Sequence, residues 1–180
     1  TDVSRKADVD RLKEKAYHAF GEVAFLMNNS GVEGGGGTWE NYAGWEKLLS
    51  VNLWGVINGV HAFAPAMIAQ KTPAAIVNTG SKQGITTPPG DTAYNLTKSG
   101  IKVLTEGLAH SLRNEPGCRV TAHLMIPGFV FTGSISRAIA NRGPRSPRPA
   151  SAPSPITPNS KNATADETGF PGSPKKGTVP

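Results

Sequence analysis

Cysteine is almost absent from this sequence, which has a single one, Cys118, among 180 residues. One thiol cannot close an internal disulfide and supplies no cluster of metal ligands, so we predict no metal site. Proteins without disulfides are typical of reducing compartments, and we therefore expect a cytoplasmic location. We interpret Cys118 itself as a buried structural thiol.

A long apolar run is also lacking. No stretch of about eighteen uninterrupted apolar residues is present, and the opening TDVSRKADVD does not have the pattern of an export signal. We therefore expect no membrane partner. The first residue is Thr1 rather than methionine, which indicates a processed chain, an excised segment or a fragment.

Large apolar residues are scarce at the end of the chain. Residues 137–180 hold nine of the 15 prolines and carry seven Lys or Arg against two Asp or Glu. Such a segment cannot bury enough apolar surface to offset the entropy lost on ordering it. We expect a domain over residues 1–135 and a disordered Pro/Ser/Arg-rich tail over residues 136–180.

The excess of positive charge belongs to that tail. The formal net charge of the chain is +6, whereas residues 1–136 carry twelve Lys or Arg and eleven Asp or Glu. A domain that recognises nucleic acid carries its basic residues on a structured face, so we predict no specific nucleic-acid partner. Weak binding of polyanions by the tail is an alternative.

Three segments have apolar residues at intervals of three and four, which predicts three helices. The first covers residues 4–20, the second runs from residue 45 to about 70, and the third runs from residue 92 to about 113. We expect Pro65 to interrupt the second helix, because proline lacks the amide hydrogen that a helix interior uses.

Three short apolar segments alternate with these helices and read as buried strands, VAFLMNNSG, AAIVNTGS and CRVTAHLMIPG, each ending in a turn. We interpret SKQGITTPPGD, after the second strand, as a turn-rich loop. The alternation predicts an α/β fold in which helices cover a parallel sheet. All three strands end in polar or turn residues, NNSG, NTGS and IPG, and in such sheets ligands bind outside the carboxyl ends of the strands.

Tyr94 and Lys98 lie four residues apart in the third helix and therefore on one of its faces. An ammonium group beside a phenol favours the phenolate, so we expect the pKa of Tyr94 to lie below its usual value of about 10. A tyrosine tuned in this way can exchange a proton with a carbonyl or alcohol oxygen. For the pair alone, an ordinary helix face is the favoured interpretation.

Two polar residues outside the third helix give the pair its context. Ser81 follows the second strand, where its hydroxyl can bond a substrate carbonyl or simply cap a turn. Asn52 lies among apolar residues of the second helix, although asparagine is a poor helix former. It either bonds a neighbouring backbone group for structure or holds a water that extends a proton path.

These motifs, in this order and spacing, resemble the classical short-chain dehydrogenase/reductase family over residues 1–133. NNSG follows a strand, Asn52 lies in a long helix, Ser81 stands thirteen residues before Tyr94, Lys98 follows, and PGFVFT comes after the next strand. The resemblance implies a Rossmann-like, doubly wound parallel sheet. It also implies an NAD(P)-dependent oxidoreductase that interconverts a secondary alcohol and a ketone by hydride transfer.

The resemblance assigns a role to each matching residue. Tyr94 matches the catalytic acid and base, and Lys98 matches the residue that lowers the pKa of that tyrosine and bonds the nicotinamide ribose. Ser81 matches the residue that orients the substrate oxygen. Asn52 matches the residue that holds a relay water. The remaining positions match residues that surround the cofactor: Asp2 and Val3 beside the adenine, Asn29, Ser30 and Gly31 along it, and Pro127, Gly128, Val130 and Thr132 near the nicotinamide.

The family pattern also extends beyond this sequence. It places a strand, a Gly-rich turn that binds pyrophosphate, a helix and a second strand ahead of the position of Asp2, and a further helix and last strand after Gly133. We therefore expect a sheet that lacks the first strands and the last strand, with the end of a preceding strand at Asp2 and Val3. The four glycines at 34–37 are not that turn, since no helix follows them directly.

These expectations leave two functions open. One is an oxidoreductase that acts on a small alcohol or carbonyl compound and, like its relatives, assembles from several copies through its long helices. The other is a catalytically silent fragment or binding module that lacks a competent cofactor site. The residue that would separate NAD from NADP lies ahead of Asp2 in the family, so either cofactor is expected.

Overall fold

The computed structural model describes residues 1–128 of the chain. The predicted tail at 136–180, the end of the predicted domain, and the candidate residues Val130 and Thr132 lie outside the described residues. The helices and strands follow one another in this order: α1 (Lys6–Phe20), β1 (Phe25–Asn28), α2 (Tyr42–Leu48), a π-helical segment (Leu49–Trp54), α3 (Gly55–Ala69), β2 (Ala74–Thr79), α4 (Gln83–Thr86), α5 (Thr92–Asn114) and β3 (Val120–Met125).

The three strands form one parallel sheet in the order β1-β2-β3. Met27 pairs with Val77, which in turn pairs with His123, so all three strands end at the same edge. The predicted α/β fold with a parallel sheet is therefore confirmed. The carboxyl edge of the sheet, where NNSG, NTGS and IPG stand, is the place that such folds use for ligands.

The core lies between the helices and one face of the sheet. Ile76 of β2 and Ile101 of α5 are fully buried, and Phe63 and Met67 of α3 pack in the same cluster as Val9 of α1. Burying each such side chain contributes about 1.5–3 kcal/mol. On the other face of the sheet, the side chains of Phe25 and Met27 in β1 are exposed.

The second predicted helix differs from the structure at Pro65, which does not interrupt it. Pro65 lies inside α3, and the helix continues to Ala69. Pro65 and His61, one turn earlier, are both exposed, while Phe63, Ala64 and Met67 anchor both flanking turns in the core. Burial on one side of the helix thus outweighs the local cost of proline.

Two further expectations were wrong in detail. The loop SKQGITTPPGD contains the short helix α4, with Gly84 buried against α5. The predicted strand end at Asp2 and Val3 is a turn instead, since the carboxylate of Asp2 accepts hydrogen bonds from the backbone N–H and the hydroxyl of Ser4, at 3.0 and 2.7 Å. These local bonds satisfy the polar groups that a neighbouring strand would otherwise bind.

One helical run in the described residues, Tyr42–Ala69, is long and apolar enough to cross a membrane by length and composition. Of its most apolar window, 56% is buried inside the protein. A helix that supplies the core of a globular domain has this same composition, and here Val56, Val60 and Phe63 do so.

Candidate active site

Thr79, the last residue of β2, joins the two strand-end motifs to helix α5. Its hydroxyl donates to the side-chain oxygen of Asn29 at 2.9 Å, and its carbonyl accepts from the ammonium of Lys98, also at 2.9 Å. Lys98 is only 6% exposed. The bond gives a buried cation a partner and fixes its position at the edge of the sheet.

A buried chain of side chains sets the position of α5 against the sheet. The amide of Asn28 donates to Asn78 at 2.8 Å, and the amide of Asn78 donates to the hydroxyl of Thr105 at 3.0 Å. Thr105 in turn donates to the carbonyl of Ile101 at 2.6 Å. Asn78 and Thr105 are 0% and 2% exposed, so breaking this chain would leave polar atoms buried without partners.

Asn52 holds the loop that follows β1. Its side chain accepts from the backbone N–H of Val32 at 2.7 Å and donates to the Val32 carbonyl at 2.8 Å. Asn52 is fully buried in the π-helical segment. These contacts support the structural interpretation of Asn52, and its role in holding a relay water stays a prediction.

Tyr94 and Lys98 lie together as their spacing predicts. The ammonium nitrogen of Lys98 is 5.6 Å from the centre of the Tyr94 ring, within the range of a cation–π contact. Burial lowers the pKa of Lys98 from 10.5 to about 8, because the charged form loses its hydration. Lys98 is nevertheless mainly protonated at neutral pH.

The expected lowering of the Tyr94 pKa is wrong for this structure, in which the pKa is raised. Burial of the phenol is the largest cause, and the carboxylates of Glu33 and Asp91 add to it by repelling the phenolate. The side chain of Ser81 beside the phenol acts in the opposite direction and lowers the pKa. Lys98, whose ammonium nitrogen is 5.6 Å from the ring centre, is not among the groups that shift this pKa.

Ser81 contacts both the turn that contains it and the catalytic candidate. Its oxygen accepts from the backbone N–H of Gln83 at 3.2 Å, as a turn-capping serine does. That bond leaves the O–H of Ser81 available as a donor to the phenol oxygen of Tyr94 or to a substrate oxygen. The two interpretations of Ser81 are therefore compatible in this structure.

The predicted cofactor residues fall into separate groups. Val3, Asn29 and Ser30 line one cavity of about 220 Å³ beside β1. Gly31 lies against the active-site side chains, since a Cβ on it would be 3.5 Å from the Asn52 oxygen and 4.0 Å from the Lys98 nitrogen. A side chain at position 31 would thus be in van der Waals contact with Asn52 and Lys98.

The other predicted cofactor residues are less closely placed. Asp2 is exposed, does not line that cavity, and binds Ser4, whose hydrogen bonds lower the Asp2 pKa. Pro127 and Gly128 directly follow Met125 and Ile126 at the carboxyl end of β3.

The sequence-based prediction missed Thr79, Asn78 and Thr105. A signal was present for the first two, because two polar residues in succession end an otherwise apolar strand, AAIVNT. Thr105 gave none, since threonine on a helix commonly bonds its own backbone. Its partner lies 27 positions away in the chain, and only the packing of α5 on β2 brings the two together.

The fold and the site define an α/β protein whose ligand site lies at the carboxyl edge of a parallel sheet, beside a tyrosine and a buried lysine. The chain belongs to the short chain dehydrogenase family, whose model matches residues 1–142. It is 35% identical over 132 residues to the CLA biosynthesis dehydrogenase/reductase of Lactiplantibacillus plantarum, an alignment that covers 73% of this chain and 46% of that protein.

Solved structures have the same fold. A short chain dehydrogenase/reductase from Burkholderia phymatum, in complex with NAD, is 42% identical with a TM-score of 0.73, covering 83% of this chain and 54% of that one. A gluconate 5-dehydrogenase from Burkholderia cenocepacia J2315, in complex with NADP and tartrate, is 28% identical with a TM-score of 0.68, covering 79% and 54%. The chain thus spans about half the length of these relatives.

Proposed function

We propose that this chain is part of an NAD- or NADP-dependent oxidoreductase that interconverts a secondary alcohol and a ketone, with Tyr94 as the general acid and base. The observation that carries the proposal is the cluster at the sheet edge. The side chain of Ser81 lies beside the phenol of Tyr94 and lowers its pKa, and Lys98 lies under the Tyr94 ring while it is bound to Thr79. Membership of the short chain dehydrogenase family supports it.

In the reducing direction, the carbonyl oxygen of the substrate accepts the proton of the Tyr94 phenol as the carbonyl carbon is reduced. Ser81 donates a hydrogen bond to the same oxygen and so stabilises the negative charge that develops on it. The family resemblance assigns Lys98 the role of stabilising the phenolate left on Tyr94, and we propose that it does so when substrate and cofactor are bound. In the oxidising direction, the phenolate takes the proton from the alcohol.

The residues present fit a nicotinamide cofactor. Val3, Asn29 and Ser30 line one cavity and would hold the adenine half, while Gly31 keeps the space beside Asn52 and Lys98 free of a side chain. Pro127, Gly128, Val130 and Thr132 would flank the nicotinamide, and Lys98 would donate to its ribose. The cofactor, when bound, supplies or accepts the hydride.

Titration with NADH and NADPH, followed by calorimetry, tests the proposal, together with turnover of a panel of secondary alcohols. We expect Tyr94→Phe to bind the cofactor with unchanged affinity and to lose turnover by a factor of about 100 to 10,000, since it removes the transferable proton. Tyr17→Phe is the matched control, because Tyr17 bonds Gln70 far from the site.

Two outcomes would contradict the proposal. Retained turnover in Tyr94→Phe would remove its assigned role. Absence of binding of either cofactor at millimolar concentration would support the alternative of a silent binding module.

A further inference from the structure

A cavity of about 280 Å³ lies between helix α2 and the end of the loop that follows β1. None of the proposed catalytic or cofactor residues lines it. Its lining consists of three aromatic residues, two glutamates and two further residues: Trp39, Tyr42, Trp45, Glu40, Glu46, Thr38 and Leu49.

The aromatic rings of this cavity are unusually open to solvent. Trp39 is 86% exposed and Tyr42 is 76% exposed, although both are large residues that proteins usually bury in part. The third ring, that of Trp45, is held in place because its N–H donates to the Gly37 carbonyl at 3.0 Å. Because the indole N–H is the only donor of this side chain and is already bonded, the Trp45 side chain can contact a ligand only through the face of its ring.

The charge of the cavity is negative. Glu40 and Glu46 are among its lining residues, which include no Lys or Arg. Within residues 1–128, the salt bridges of the protein involve neither glutamate. Both carboxylates are therefore available to a ligand.

The first turn of helix α2 does not provide an anion site in this cavity. The backbone N–H groups of Gly44 and Trp45 both donate to Asn41, which caps the helix. These two N–H groups are therefore not available to an anion. The charge of Glu40 and Glu46 then determines which ligands the cavity favours.

We propose that this cavity binds a small alkylammonium cation. The faces of tryptophan and tyrosine rings attract such cations, and carboxylates beside the rings strengthen the attraction. An anion would be repelled, and a neutral apolar molecule would remove water from Glu40 and Glu46 without replacing their lost hydration. The site is separate from the proposed catalytic residues, so it stands whether or not the chain is an oxidoreductase.

Choline and its neutral carbon analogue, 3,3-dimethylbutan-1-ol, form a matched pair of probes that differ only in charge. We expect choline to change the tryptophan fluorescence of the full chain saturably, at constant ionic strength, and the neutral analogue to bind about tenfold more weakly or not at all. Equal binding of the two, or no binding of choline, would overturn the proposal.

Paired variants then locate the site. The double variant Glu40→Gln/Glu46→Gln keeps all three tryptophans as reporters, and we expect it to bind choline about fivefold or more weakly. Glu14→Gln/Glu115→Gln makes the same change of net charge at exposed positions elsewhere and should bind as the unmodified chain does. Equal loss in both variants would show a general charge effect and contradict a site at α2.

The aromatic contribution is tested by Trp39→Leu against Trp54→Leu, with binding measured by NMR of choline. Trp54 is also exposed, at 56%, but does not line the cavity. We expect only Trp39→Leu to weaken choline binding, with no change in the sedimentation coefficient of the protein. A change in oligomeric state in Trp39→Leu would instead identify a contact between two copies and overturn the proposal.

Discussion

At the scale of single residues, Lys98 links the candidate site to stability. Its pKa falls to about 8 in the folded protein, against 10.5 for an unhindered lysine, because its ammonium is buried. Between these values the unfolded chain binds more protons than the folded one, so the free energy of unfolding rises with pH. Below pH 8 the protein bears the full cost of burying the charge.

We expect Lys98→Met to remove this rise. From pH 8 to pH 10, the unmodified chain should gain about 2 kcal/mol of unfolding free energy relative to the variant, since each pKa unit corresponds to about 1.4 kcal/mol. Urea denaturation at pH 7, 8, 9 and 10 measures the two profiles. Parallel profiles would contradict the assignment, and Lys102→Met, at a partly exposed position of the same helix, is the control.

Some of these residue-scale properties were predictable and others were not. The four-residue spacing of Tyr94 and Lys98 predicted their proximity, because helix faces follow from sequence periodicity, whereas the family resemblance implied that Ser81 joins them. The direction of the Tyr94 pKa did not follow, since it depends on burial and on Glu33, which only the folded loop brings near. The spacing of two residues in the sequence gives neither the burial of the phenol nor the distance of Glu33 from it.

At the scale of elements, the contact between α4 and α5 positions the serine relative to the tyrosine. Gly84 of α4 lies on the backbone of Lys98, where a Cβ would be 2.6 Å from the carbonyl carbon and 2.7 Å from its oxygen. Ser99 also donates to the Gly84 carbonyl at 2.8 Å. The two helices can lie this close only because Gly84 has no side chain.

We expect Gly84→Ala to destabilise the protein by about 1–3 kcal/mol, because backbone cannot yield to the added methyl group unless α4 moves away from α5. Gly107→Ala, in the exposed part of α5, should instead stabilise by about 0.5–1 kcal/mol, since nothing lies within 4 Å of its Cβ. Urea denaturation of both variants tests this. Similar effects of the two substitutions would refute the close contact.

The existence of most elements followed from the sequence, and their irregularities did not. The apolar periodicity predicted α1 and α5 with bounds close to those of the structure, and the apolar runs predicted three strands, each of which lies inside its predicted segment. The π-helical turn at Leu49–Trp54 and the unbroken α3 around Pro65 were missed. Both are cases in which tertiary contacts, those of Asn52 with Val32 and of Phe63 with the core, override local preference.

At the scale of the whole molecule, the described helices leave one sheet face open. Phe25 and Met27 of β1 are 58% and 41% exposed, and they are in register with Ala75 and Val77 of β2. Within residues 1–128, β2 is the strand that pairs with β1, so the other edge of β1 has no strand beside it. An apolar face next to an open edge favours association between chains.

We therefore expect this chain to associate as its concentration rises, and Phe25→Lys/Met27→Lys to reduce that association by placing charges on the face and edge. Leu96→Lys/Val103→Lys adds the same charge on α5, where Leu96 and Val103 are 50% and 69% exposed. Sedimentation velocity across a range of concentrations compares the two variants. Loss of association in the α5 variant alone would place the interface on the long helices, as the family resemblance implies, and would contradict association through β1.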